Sequence, residues 1–273
     1  MTSQSCSQQK RKSSPGAKSD KMNRKFYDLH VCSNDIERIL ERAEQLEWSG
    51  ICLTSHFEKN FSEFSKKAEK LKAKGSIEIF TGAEINENIR KNSIEALKYS
   101  DFNFAACTGE DATRNASDCW ELHVLCQENP KERDFMDQKN SGIDHIVAKL
   151  LKEKGIALEL NFSDFLNSYG MARAQRIGRA RQNILLARKY KILLIITSGA
   201  KDIYGMRAPR ELISFGKILG MTDGEAKNAL EKNPLVIIKK SADRKNPDKL
   251  LTGLEVVNWG KQKKAVKKPH GFY

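Results

Sequence analysis

The sequence predicts an α/β chain built as a (β/α)8-like TIM barrel, regular or irregular, and three observations carry that prediction. Between Phe26 and Ile238, short apolar runs of strand length alternate with segments whose apolar residues recur every three to four positions. About eight such strands fit into this stretch, close to the lower size limit of a barrel in which each strand is followed by a helix. No Gly-x-Gly-x-x-Gly follows the first strand, so the alternative for this rhythm, an open doubly wound sheet, lacks the turn that would bind a dinucleotide.

Phe26–Val31 and Gly50–Thr54 read as strands, and between them Ile36, Ile39, Leu40, Ala43 and Leu46 mark a helix that Asn34 and Glu37 would open as a capping box. Phe61, Phe64, Ala68 and Leu71 make a second helix, ended at Gly75 by the left-handed turn that glycine permits. A strand over Ile77–Ile85, a helix through Ile94 and Leu97, and a strand over Phe102–Cys107 follow. The stretch from Thr108 to Trp120 has no clear period, and His123–Cys126 is a strand leading to a loop at Pro130.

Ser141 is placed to cap a helix whose apolar face is Ile143, Ile146, Val147, Leu150 and Leu151, with Gly155 as its stop. Ile156–Leu160 is a strand, Ile177, Ala180, Ile184 and Ala187 line the next helix, and Ile192–Thr197 is another strand. Pro209 suits a first helical turn, where its missing N–H has no partner to lose, and Leu212, Phe215 and Leu219 form that helix's buried face. Thr222 and Glu225 make a second capping box, and Leu235–Ile238 reads as a closing strand.

The composition, 39% hydrophobic and 30% charged in 273 residues, is that of a soluble globular chain, and the net charge of +13 is unevenly placed. Residues 1–25 carry seven Lys/Arg against one Asp, and residues 239–273 carry ten against three acids. These are read as a disordered basic N-terminal tail and a basic C-terminal tail around a barrel domain of residues 26–238. That body is neutral overall, yet Met171–Arg210 holds ten Lys/Arg against Asp202 alone, a net of +9. Such a block is an electrostatic footprint for a polyanion.

The longest apolar run, Ile192–Ile196, is too short to span a membrane, and the first 25 residues lack the apolar core of a secretory signal. Six cysteines without a Cys-x-x-Cys pair fit reduced, cytoplasmic usage.

Barrels place their chemistry at the C-terminal ends of the strands. There the first three strands bring His30, His56 and Glu84, the residue types of a divalent metal site, with Cys32 as a candidate thiolate. On the cationic helix, at about 100° per residue, Arg176 and Arg179 flank one side of the apolar face and Arg181 and Arg188 the other. Arg173 falls in line with that face and is placed before the helix. Ser198-Gly199-Ala200-Lys201 followed by Arg207-Ala208-Pro209-Arg210 joins a small-residue turn to a helix start, where backbone N–H groups and arginines can hold phosphate.

The order His30, His56, Gly82-Ala83-Glu84 resembles the polymerase and histidinol phosphatase family of metal-dependent phosphoesterases, although Cys32 and Ser55 stand where that family has His and Asp. More specifically, YDLHVCS (Tyr27–Ser33), GAEI (Gly82–Ile85), SGIDHIVAKL (Ser141–Leu150), SGA (Ser198–Ala200) and MRAPRELISFGKILGMT (Met206–Thr222) resemble archaeal ribonuclease P protein component 3. That resemblance implies a ribonucleoprotein endonuclease, a hydrolase that removes the 5′ leader from precursor tRNA with its catalytic centre in the RNA. It further implies binding to ribonuclease P RNA, which requires Mg2+, and to a small RNA-binding protein subunit of the same enzyme. The protein is then expected to have no catalytic residue of its own and to meet RNA through Arg173, Arg176, Arg179, Arg181, Lys201, Arg207 and Arg210. The alternative is a metal-dependent phosphoesterase working through His30, His56 and Glu84.

Overall fold

The computed structural model describes residues 24–33, 35–72, 77–107, 109–127, 134, 136, 139–251 and 254–260. Strands β1 (Tyr27–Val31), β2 (Gly50–His56), β3 (Glu78–Ile85), β4 (Phe102–Cys107), β5 (Val124–Gln127), β6 (Ala157–Asn161) and β7 (Leu194–Thr197) pair in chain order as one parallel sheet. Helices α1 (Ile36–Gln45), α2 (Phe61–Lys72), α3 (Ile89–Ala96), α4 (Glu110–Ser117), α5 (His145–Lys154), a five-residue α6 (Phe162–Leu166) and α7 (Gly170–Tyr190) connect them. After β7 come α8 (Pro209–Ile218), α9 (Asp223–Asn228) and α10 (Lys232–Lys245), then a small hairpin of β8 (Lys249–Leu251) and β9 (Leu254–Glu255). Among the described residues no helix is long and apolar enough to cross a membrane.

The sheet curls nearly closed. Val31 bridges Ala200 in parallel, the Gly199 N–H donates to the His30 carbonyl at 3.1 Å, and the Cys32 N–H donates to the Ala200 carbonyl at 2.8 Å. Alternation along the strands separates two apolar layers. Tyr27, Leu29, Cys52, Phe102, Phe104, Val124, Ala157 and Ile195 fill the interior. Val31, Ile51, Leu53, Ala105, Leu125, Leu158 and Ile196 join the larger layer under the helices.

Among the described residues seven strands, not eight, make this barrel. The closing strand expected at Leu235–Ile238 is the middle of α10, where Pro234, Ile237 and Ser241 are the buried positions while Leu235 and Val236 are substantially exposed. Spacings of three and four are helical, and an apolar run of four residues does not by itself distinguish strand from helix. Ile237 reaches the interior layer, and the Tyr27 N–H donates to the Leu230 carbonyl at 2.9 Å, so the α9–α10 region covers the seam between β7 and β1.

The domain boundary moves with it. Residues 239–245 belong to α10, where the Lys240 ammonium donates to the carbonyls of Leu122, Lys154 and Gly155, and the Ser241 hydroxyl donates to that of Asp101. A C-terminal tail therefore cannot begin at residue 239. Most of the expected N-terminal tail, residues 1–23, lies outside the described residues, and Lys25 pairs with Glu78 at 2.9 Å.

Smaller differences concern caps. Asp35 caps α1, accepting from the Arg38 N–H; Asn34, the expected cap, lies outside the described residues, as do Gly75 and Pro130. Asp144, not Ser141, caps α5 by accepting from the Val147 N–H at 2.7 Å, and Gly155 ends it in a left-handed conformation at φ 62°, as expected. The unassigned stretch contains α4, whose buried side is Thr113, Ala116 and Ser117, too small and too polar to produce an apolar period.

Candidate nucleic-acid interface

Parallel pairing aligns the ends of the strands. The β2–β3 register sets His56 beside Glu84, and β1 brings His30 to the same end. The three residues do meet: His30 Nε2 lies 2.5 Å from Glu84 Oε1, and His56 Nδ1 lies 2.9 Å from Glu84 Oε2. Sequence patterning missed the fourth member. Glu159 on β6 is 2.7 Å from His30 Nδ1 and accepts from the Thr197 hydroxyl. The signal was present as the one acid in the otherwise apolar run Ile156–Leu160.

The buried His30 ring thus donates from both nitrogens to carboxylates. Burial opposes its charge, but Glu159, with hydrogen bonds to Cys126, Glu159 and Glu84, raises its pKa well above the usual value. Burial also opposes ionisation of Glu84 and Glu159, and in both the His30 cation outweighs it and lowers the pKa. Asp28, fully buried one turn of the pleat below, accepts from the Ser198 N–H at 3.2 Å and the His30 N–H at 3.4 Å, tying β1 to the segment after β7. Burial raises its pKa to about 6 despite those bonds.

These residues do not fit a divalent metal as they stand. Ligand atoms 2.0–2.1 Å from a tetrahedral ion lie about 3.3 Å apart, whereas His30 and Glu84 meet at 2.5 Å in a direct hydrogen bond. Both oxygens of Glu84 are taken up by histidines. A second grouping, His30, Cys126 and Glu159, keeps its ligand atoms within 4.8 Å of one another, but its His and Glu are also joined directly. With Cys32 and Ser55 in place of two further ligands, no phosphoesterase step follows from this set.

The cluster floors a cavity of about 160 Å³ whose wall carries Arg176, Arg179 and Lys201. Of the arginines read from the sequence, Arg173 lies inside α7 rather than before it, because the helix starts at Gly170. Its Nε donates to the Ser168 carbonyl at 2.6 Å and its guanidinium lies 5.2 Å from the Tyr169 ring centre. Arg176 stands 3.9 Å from Asp164. Arg179 is buried and donates to Asp134 at 2.9 Å, so it acts as a brace as much as a surface charge.

Arg207 donates to the carbonyls of Tyr204 and Met206 and lies 5.3 Å over the Phe162 ring, while Lys201 and Arg210 are exposed nearby. Arg181 and Arg188 lie apart from this mouth. Arg181 donates to the Ile218 carbonyl, and Arg188 donates to Glu225 and to the Gly220 carbonyl, so they tie α7 to α8 and α9. The cationic block thus divides into a rim around the mouth and a set of helix braces.

Comparison with known proteins agrees with this architecture. The family model described as RNase P subunit p30 matches residues 25–246, which is the barrel through the end of α10. The chain is 29% identical over 244 residues to Ribonuclease P protein component 3 of Methanosarcina mazei, covering 85% of this chain and 95% of that one. It is 30% identical over 232 residues to the protein of the same name from Methanococcoides burtonii, covering 82% and 91%. Among solved structures, a chain of archaeal ribonuclease P with mature tRNA superposes with a TM-score of 0.70 at 21% identity, covering 86% of this chain and all of that one. The chain belongs to the RNase P subunit p30 family.

Proposed function

We propose that the chain is a protein subunit of ribonuclease P, an endoribonuclease that removes the 5′ leader from precursor tRNA, and that it binds the catalytic RNA through the barrel mouth. The observation that carries this reading is Arg176 and Lys201 lining the mouth, with Arg173 in the first turn of α7 and Arg207 and Arg210 flanking the start of α8, in a block where no acid occurs between Met171 and Lys201. Cations arranged this way neutralise phosphates and release counterions. Chemistry is left to the RNA and its Mg2+. At the floor of the mouth the protein offers a buried His30 paired with two carboxylates, Glu84 and Glu159. A small RNA-binding protein subunit of the same enzyme and precursor tRNA complete the set of partners.

Three measurements test this. If about six phosphates are contacted, affinity for the ribonuclease P RNA falls by roughly 10³ between 50 and 200 mM salt; a flat response overturns RNA binding. Lys201→Ala with Arg210→Ala, both at exposed positions, should weaken binding at every RNA sequence without changing the unfolding temperature. Reconstituted precursor-tRNA cleavage with and without this chain then tests the subunit role.

A further inference from the structure

Tyr204 and Tyr169 are the most exposed large aromatic side chains among the described residues, at 81% and 75%, and both lie in loops at the strand ends that form the mouth. Trp120 and Tyr99 follow at 55% and 43%, so the contrast is not a general feature of this surface. Each of the two tyrosines is coupled to an arginine fixed by backbone carbonyls. Arg173 donates to Ser168 and Leu166 and sits against the Tyr169 ring. Arg207 donates to the carbonyl of Tyr204 itself and sits against Phe162.

The two arginines engage opposite ends of α6, a helix of five residues, and so roughly 7.5 Å long. Phe162 and Phe165 of α6 pack edge-on against Phe215 of α8, which makes the support rigid. Exposed Leu166 and Met171 extend the apolar surface, and the acids nearby are Asp164, 3.9 Å from Arg176, and Asp202, which accepts from the Gly205 N–H.

A water-exposed aromatic ring with a backbone-held guanidinium against it, as at Tyr169, or anchored to its own carbonyl, as at Tyr204, is an arrangement that stacks an unpaired base while a cation meets the adjoining phosphate. A-form duplex keeps its bases stacked inside and cannot use such rings. We infer that Tyr169 and Tyr204 are stacking platforms for unpaired nucleotides, so that this face takes a single-stranded or loop segment of RNA rather than a helix. The inference rests on the RNA-binding reading above and deepens it.

The test compares two probes on the full chain, a 12-nucleotide oligouridylate and an RNA duplex with a matched number of phosphates, by fluorescence anisotropy at several salt concentrations. Tyr169→Ala with Tyr204→Ala should weaken single-strand binding by at least about 30-fold, keep duplex binding within twofold and leave the salt slope unchanged, since stacking adds about 1–3 kcal/mol per base without phosphate contacts. Tyr→Phe at both positions should bind as the wild type. Equal losses for both probes, no loss for either, or a Phe variant as weak as the Ala variant overturn the stacking role. If RNA binding is unchanged but the Ala variant no longer assembles with the other protein subunits, the face is a protein contact and the inference fails. If the wild type binds neither probe while the Ala variant folds normally, the RNA-binding reading falls first.

Discussion

At the residue scale the mouth is held by charge rather than by apolar packing. Replacing Glu159 with Gln leaves the buried His30 cation paired with Glu84 and removes one charge-assisted hydrogen bond, which is worth about 1.5–3 kcal/mol. Urea denaturation at pH 7 should register a loss of that order, and a change under 1 kcal/mol would show that His30 is neutral in the fold. The pH dependence follows from the directions of the shifts. Raised His30 contributes stability that is complete below its ordinary value of 6.5 and lost as pH climbs through the higher folded value. Lowered Glu84 and Glu159 contribute stability present above 4.5 and lost as pH falls through their folded values. Asp28, raised to about 6, acts in the opposite sense between about 4 and 6, where rising pH removes a proton the folded state retains. The difference in stability between wild type and Glu159→Gln should therefore be largest between about pH 4.5 and 6.5 and shrink towards both extremes. A purified chain should also bring well under one equivalent of transition metal through dialysis, measured by elemental analysis; stoichiometric metal bound at the His30 cluster would overturn its reading as a hydrogen-bonded brace.

At the element scale, α10 decides where the domain ends. Ile237 is 1% exposed and Leu235 is 41% exposed, so Ile237→Ala should cost about 2–4 kcal/mol while Leu235→Ala stays within about 0.5–1. A strand here would put residues 235 and 237 on the same face and make the two costs alike. Truncation after Ile238 removes Lys240, Ser241 and Arg244 with their bonds to Leu122, Asp101 and His123. That shortened chain should fail to fold cooperatively, whereas one ending after Asn246 should keep its circular dichroism and unfolding transition. Deletion of the basic C-terminal segment is a clean test of RNA attraction only from the second boundary. The sequence misled at this element because Leu-Val-Ile-Ile has the β-branched content of a strand, and the helical spacing becomes visible only when Pro234 and Ser241 are included.

At the scale of the whole molecule, the +13 net charge divides by function. Arg181 and Arg188 draw α7, α8 and α9 together, and Arg179 is drawn to Asp134, so only part of the +9 block is presented outward. Reversal of the charge at Arg188 should act through stability: Arg188→Glu places a carboxylate against Glu225, whose pKa the arginine now holds down to about 2. Thermal unfolding should shift downward by a few degrees, and RNA affinity per folded molecule should be nearly unchanged. Equal stability with lost RNA binding would instead place Arg188 at the interface.

The sequence by itself determined the alternation of strands and helices, the convergence of His30, His56 and Glu84 on one end, the cationic character of residues 171–210, and the family to which the motifs point. Each is a local or periodic property, written within a few residues or one strand length. Only the tertiary structure decided that seven strands suffice, that α10 covers the seam, that Glu159 completes the histidine cluster, and which arginines face outward. Those outcomes depend on pairs such as His30 with Glu159 and Arg188 with Glu225, 129 and 37 residues apart in the chain. No period in the sequence encodes them, because closure of the sheet and packing of the helices outside it bring such partners within hydrogen-bonding distance.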